Sequence, residues 1–244
     1  MLSRPNAVNL VNLSGDGRTS GAYQFDIGYN RRFELADLDY FFIAGAWRHR
    51  QVTIALGAAQ FGKSDLYAEQ LLKGSISVTY RAFTLGVAPS ALQIQIGNGY
   101  GALRAAALGA GATYSARTFM VNVVADNLTS PKLLEHGGSF KPTYTLVSEY
   151  FGHRAFSVVG RVRAESGQNP QFGLGQWIRL NERSAFFWGV AGEPTEYGGG
   201  VEIDMPFGAA TYAVAIHPVL GLTHTVTVSY QSKRAKSTHG GEFD

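Results

Sequence analysis

Glu202 and Asp204 fall two positions apart in this 244-residue chain, which on a strand puts both carboxylates on one face about 7 Å apart. A pair of that kind could line a surface that binds a ligand or peptide, or it could belong to a wall of balanced charges with Arg161, Arg163 and Arg179 on neighbouring segments. The other chemical signals are weaker. Gly97, Gly99 and Gly101 follow an apolar run, but a dinucleotide loop needs G-x-G-x-x-G opening a helix, and here the third glycine comes one residue early. No G-x-S-x-G, H-E-x-x-H or P-loop pattern occurs. The six histidines, at 49, 136, 153, 217, 224 and 239, are too dispersed for a local metal motif. The reading is therefore of a non-enzymatic chain, with no catalytic residue, metal set or cofactor assigned.

The elements that would carry these side chains read as strands. From about Ala22 to Ser232, apolar residues alternate with small or polar ones in segments that restart every 15 to 20 positions. Tyr23, Phe25, Ile27 and Tyr29 alternate with Gln24, Asp26, Gly28 and Asn30. In the last segment Leu222, Val226, Val228 and Tyr230 oppose Thr223, Thr225, Thr227 and Ser229. Further strands read as Asp39 to Arg48, Val52 to Ala59, Ser75 to Arg81, Phe83 to Val87, Leu92 to Ile96 and Leu108 to Ser115. They continue as Phe119 to Ala125, Tyr144 to Tyr150, Phe156 to Ala164, Phe172 to Leu180, Ser184 to Val190, Tyr197 to Met205, Tyr212 to Ile216 and Leu222 to Tyr230. Ala102 to Leu108 is the one stretch where helix formers compete with the strand pattern.

The longer segments, such as Asp39 to Arg48, are close to the ~9 to 11 residues that cross a bilayer when tilted. The pattern predicts an all-β, transmembrane, antiparallel up-and-down barrel of about 14 strands, one face toward lipid and one toward a wet lumen. Tyr29, Trp47, Tyr80, Tyr114, Tyr144, Tyr150, Trp177, Tyr197, Tyr212 and Tyr230 fall near strand ends, as interfacial girdles require. The inward face is expected to carry Asp26, Asn30, Arg81, Gln93, Gln95, Asn122, Asp126 and Glu149 together with Arg161, Arg163, Arg179, Glu202 and Asp204 as lumen-facing binding candidates. On that reading the lumen is polar on every flank.

Composition agrees. Charged residues make up 16% of the chain against about a quarter in a soluble domain, and glycine is abundant at 30 residues. Mean hydropathy of -0.05 hides the alternation, since barrel strands contribute apolar and polar residues equally. Net charge is +3 and the basic residues are spread thinly, which argues against a nucleic-acid partner. There is no cysteine, so neither a disulfide framework nor thiolate metal sites are available. Met1-Leu2-Ser3-Arg4-Pro5 opens no apolar stretch of signal-peptide length, so export predicts a leader ahead of this numbering. The chain divides into an N-terminal segment (1–20), a barrel (21–232) and a tail (233–244).

Three stretches resemble the PorV/PorQ group of outer-membrane proteins, relatives of the FadL-type fatty-acid transporters. They are Val124-Ala125-Asp126-Asn127-Leu128 with Pro131, then Gly192-Glu193-Pro194-Thr195-Glu196-Tyr197-Gly198-Gly199-Gly200, then His217-Pro218-Val219-Leu220-Gly221-Leu222-Thr223-His224. The resemblance implies a fourteen-stranded barrel in the bacterial outer membrane, with an N-terminal segment that enters the lumen and a role in binding protein partners during type IX secretion. The group's Asn-Pro-Ala motif has Pro5-Asn6-Ala7 as its nearest counterpart, in a different order. FadL relatives instead pass hydrophobic molecules through a side opening, which is the alternative function. The longest non-alternating stretch, Asn127 to Lys141, supplies the candidates for a partner loop: Leu133, Leu134, Glu135 and His136. The expected surroundings are outer-membrane lipid and a protein partner, with the oligomeric state left open.

Overall fold

The computed structural model describes residues 22–63, 65–97, 101–132, 139–153, 155–192 and 195–232. These form fourteen strands: β1 (Tyr23–Arg31), β2 (Asp39–His49), β3 (Val52–Lys63), β4 (Tyr67–Tyr80), β5 (Phe83–Ile96), β6 (Gly101–Ser115), β7 (Phe119–Asp126), β8 (Thr143–His153), β9 (Phe156–Glu165), β10 (Gln171–Arg179), β11 (Ser184–Ala191), β12 (Glu196–Met205), β13 (Gly208–His217) and β14 (Gly221–Gln231). Each strand pairs antiparallel with its sequence neighbours, and β1 pairs with β14 from Gln24 opposite Gln231 to Arg31 opposite His224. The sheet is therefore a closed barrel with no free edge. Closure matters because an unpaired N–H or C=O costs several kcal/mol in hydrocarbon.

Cross-strand register fixes which residues share a face. Tyr212, Val226, Tyr29 and Phe41 are successive partners around one row, and all are exposed. Ala213, Thr225, Asn30 and Tyr40 form the adjacent row, which turns inward. The outer face carries an apolar band whose lower rim is aromatic: Tyr23, Trp47, Tyr80, Phe83, Tyr114 and Tyr150 sit at the strand ends there. Trp177 does not belong to this girdle. It pairs with Ser157 and Phe187 on the inward face and is buried, its ring stacked on Phe187 at 4.4 Å.

The two ends of the barrel differ. One end carries short connections, such as 50–51, 81–82 and 206–207, together with both ends of the barrel chain; the other carries 32–38 and 127–142. Outer-membrane barrels keep short turns at the periplasm and long loops outside, which orients the molecule. In the long loop, Lys132 bridges to Ser139, and the Phe140 N–H donates to the Pro131 carbonyl at 3.0 Å. Leu133, Leu134, Glu135 and His136 lie outside the described residues, as do the N-terminal segment and the tail.

At one stretch the strand reading holds against a competing helix, and at another the strand division is corrected. Ala102 to Leu108 is strand, because β5 offers a backbone ladder from Ile96 opposite Gly101 to Phe83 opposite Tyr114, and pairing overrides alanine's helix preference. The same ladder joins Phe83–Val87 and Leu92–Ile96 into one fourteen-residue strand.

The last strand gives a direct test of orientation. Val226→Arg and Val228→Arg, both on the lipid face, are expected to destabilise the barrel by about 2 to 4 kcal/mol if they sit near the bilayer midplane. Thr225→Arg, on the inner face, loses chiefly the hydrogen bond from Asn30 and should cost about 1 kcal/mol. Denaturant titration in lipid measures both, and equal costs would refute the assignment of faces.

Candidate functional site

The lumen gathers most of the polar residues picked out by sequence. Asp26, Asn30, Asn122, Asp126, Glu149, Arg161, Arg163, Arg179, Glu202 and Asp204 all fall on inward rows of the register. The Asn30 amide donates to Thr225 Oγ1 at 2.7 Å, and the Asn122 amide to Thr113 Oγ1 at 2.8 Å. Asp26 is fully buried and accepts from Gln24 Nε2 at 3.1 Å. Arg179 binds Asp204 at 3.0 Å and also donates to the Glu182 carbonyl. Asp204 is thereby tied to a guanidinium rather than to Glu202, so the two carboxylates form part of a charge-balanced wall.

Three candidates do not face the lumen. Arg81 lies in the tight turn between β4 and β5 with φ of 53°, exposed, its guanidinium 5.3 Å from the Tyr80 ring centroid. Gln93 and Gln95 are on the outer face, since they share parity with Val87, which is 45% exposed, and Gln93 pairs with Gln70 and Arg104. The reason is a polarity inversion part-way up the strand. In β5 the outward residues run Phe83, Leu85, Val87, Pro89, Ala91, Gln93 and Gln95, while the inward ones run Thr84, Gly86, Ala88, Ser90, Leu92, Ile94 and Ile96. Apolar residues face out inside the membrane and face in above it.

The same inversion occurs on three neighbouring strands. Gln60 of β3, Gln70 of β4 and Arg104 of β6 face outward, and Phe61, Leu71 and Leu103 face inward beside them. With Tyr40 and Phe42 of β2, these side chains make the inner wall of β2 to β6 largely apolar in its extracellular half, interrupted by Glu69, which pairs with Phe61 and Ile94 on the inward row and accepts from the Tyr67 hydroxyl at 2.6 Å. The lumen is therefore not polar on every flank, as the sequence led one to expect. It has an apolar sector on β2 to β6 opposite a charged sector on β7 to β14.

A buried ion pair lies at the foot of the apolar sector. Lys73 Nζ reaches Asp126 Oδ1 at 2.7 Å, linking β4 to β7 past the intervening β5 and β6. The Lys73 side chain is only 10% exposed. Lys73 was not among the sequence candidates, although its parity with Ser75 and Ser77 put it on the polar face. Two aromatic rings also escaped notice. Phe42 is the direct partner of Gly28, and Phe187 that of Gly200. A Cβ at either glycine would collide with the ring, so the missing side chain lets each ring lie against the wall.

No family model matches the chain, and no curated protein matches it in sequence. Solved structures do resemble it. The Ralstonia pickettii toluene transporter TbuX aligns with a TM-score of 0.69 at 10% identity, covering 93% of this chain and 94% of that one. The Pseudomonas putida toluene transporter TodX aligns with a TM-score of 0.66 at 10% identity, covering 93% of each. The Acinetobacter baumannii outer membrane protein Omp33 aligns at 0.57 and 9% identity, covering 88% of this chain and 99% of that one. The fold is that of outer-membrane barrels, the toluene transporters among them.

The Lys73–Asp126 pair should couple energetically. Lys73→Ala alone leaves a half-buried carboxylate and should destabilise the barrel by about 3 kcal/mol, whereas Lys73→Ala with Asp126→Ala should recover part of that loss. A double-mutant cycle in lipid measures the coupling, and additive costs would show that the contact is incidental.

Proposed function

We propose that this chain is an outer-membrane channel that admits small hydrophobic molecules through the apolar sector of its lumen. The observation that carries the reading is the shared polarity inversion on β3 to β6. At the upper edge of the lipid band and beyond it, Leu71, Leu92, Phe61, Ile94 and Leu103 turn into the lumen, around the carboxylate of Glu69. An apolar solute arriving from outside meets a surface that offers burial at roughly 25 cal/mol per Å². The Lys73–Asp126 pair lies below, where it can restrict passage toward the periplasm. The fold's likeness to toluene transporters supports the same class of cargo.

Partner binding of the PorV/PorQ kind has less support. It rests on Leu133, Leu134, Glu135 and His136, outside the described residues, and it gives no role to an apolar inner wall. Catalysis has no support in the lumen, where Asp204 is held by Arg179.

Uptake by intact cells tests the proposal. Cells producing the barrel should take up radiolabelled toluene faster than cells without it, with no matching gain for radiolabelled glucose. Ile94→Asp and Leu103→Asp put a carboxylate on the apolar wall and should lower toluene uptake about tenfold at equal barrel abundance. Equal gains for both solutes would refute the proposal in favour of a general pore, and no gain for either would refute transport.

A further inference from the structure

The outer wall holds a second feature. Between β4 and β5 the ladder omits Gly74, Ser75, Ala88 and Pro89 and resumes on both sides in the same register. Pro89 has no N–H to donate, and Gly74 faces it across the gap. Just above this break, the outer surface of β2 to β6 sinks into a depression of about 670 Å³. Most of its lining comes from two outward rows of the register, and Ala59, Leu71, Leu92 and Ala105, the row between them, complete it. Gln60, Gln70, Gln93 and Arg104 are successive cross-strand partners along the upper row, and Ala58, Leu72, Ala91 and Ala106 along the lower. Phe41 and Ile43 close one end.

The height of this groove identifies what lies against it. On β4 the outward series begins at the girdle residue Tyr80 and turns polar at Gln70, ten residues along the strand. That is ~33 Å of strand, or ~25 Å along the membrane normal at a tilt of about 40°, which matches the apolar band of an outer-membrane barrel. The upper row therefore lies at the outer headgroup level and the lower row among acyl chains. Small side chains at Ala58, Ala91 and Ala106 leave the lower row hollow, whereas an ordinary lipid-facing wall is filled by bulky ones such as Leu85 and Val87 lower on β5.

Arg104 gives the groove its charge preference. Its Nε donates to Gln93 Oε1 at 2.9 Å, and no carboxylate among the described residues forms an ion pair with it. A guanidinium at headgroup height, flanked by amide donors and standing over an apolar hollow, is complementary to an amphipath with an anionic phosphate and an acyl chain. We propose that this groove binds one phosphate-bearing lipid of the outer leaflet. Its phosphate sits on Arg104 beside the glutamines, and one acyl chain fills the hollow below.

Native mass spectrometry of the detergent-purified barrel, titrated with diphosphorylated lipid A or with phosphatidylcholine, tests this directly. The intact barrel should retain one lipid A and bind phosphatidylcholine at least tenfold more weakly. Arg104→Gln should weaken lipid A retention about tenfold, and Ala91→Trp, which fills the hollow, should abolish it. Leu174→Ala, on the lipid face of β10 across the barrel from β4, should change nothing. Heat-modified gel mobility reports whether each variant is folded; if Ala91→Trp is not, Arg104→Gln still decides. Equal retention by the wild type and Arg104→Gln would overturn the proposal. So would release of the lipid by excess inorganic phosphate alone, which would mark an anion site without a lipid groove, or a dimer lost on Ala91→Trp, which would mark a contact between copies.

Discussion

A chain crossing hydrocarbon has no water to satisfy its backbone, and closing β14 onto β1 is how this one meets that requirement. Once the ladder is closed, the two faces of every strand acquire different solvents. Each side chain's environment then follows from its parity in the register and its height along the membrane normal. Tyr29 and Asn30 illustrate the first variable: adjacent in sequence, one faces outward with its hydroxyl on Asp39 and the other binds Thr225 inside. Gln93 and Val87 illustrate the second, since both face outward, one at headgroup height and one in lipid.

Height is what makes the long strands distinctive. β3 to β6 run twelve to fifteen residues, against eight for β7 and β11, so they project beyond the apolar band on the extracellular side. In the projecting part the outward row gains Gln60, Gln70, Gln93 and Arg104, and the inward row gains Phe61, Ile94 and Leu103 around Glu69. The same strands thus generate two features at once: an apolar inner wall facing the lumen and a polar row on the outside marking the membrane surface. The break at Gly74 and Pro89 lies just below both.

The opposite wall has a different economy of polar groups. Arg179 is held there by Asp204 and Asn122 by Thr113, and aromatic rings pack where glycine opposes them. Lys73 and Asp126 join the two sectors. A lysine buried to this degree persists because its carboxylate partner compensates the lost hydration, and the cost of removing either one alone is what gives the contact its rigidity.

The sequence by itself determined the fold class, the approximate number of strands and the faces of the terminal strands. All of these follow from a period of two, which is a local property that any sheet must obey. It also placed ten of the thirteen polar candidates on the inner wall, because in the short strands apolar means outward. That equation fails where a strand leaves the membrane, so Gln93 and Gln95 were read on the wrong face, and Arg81 was read as strand when it turns. Only the tertiary structure decided the apolar sector, since Phe61, Leu71, Leu92 and Leu103 become one surface only through the registers of four strands. Only it decided the pairing of Lys73 with Asp126, 53 residues apart, and the stacking of Trp177 inside the barrel. Alternation records which face a residue occupies, while height and cross-barrel distance depend on how far each strand is displaced against the next, and no single strand carries that information.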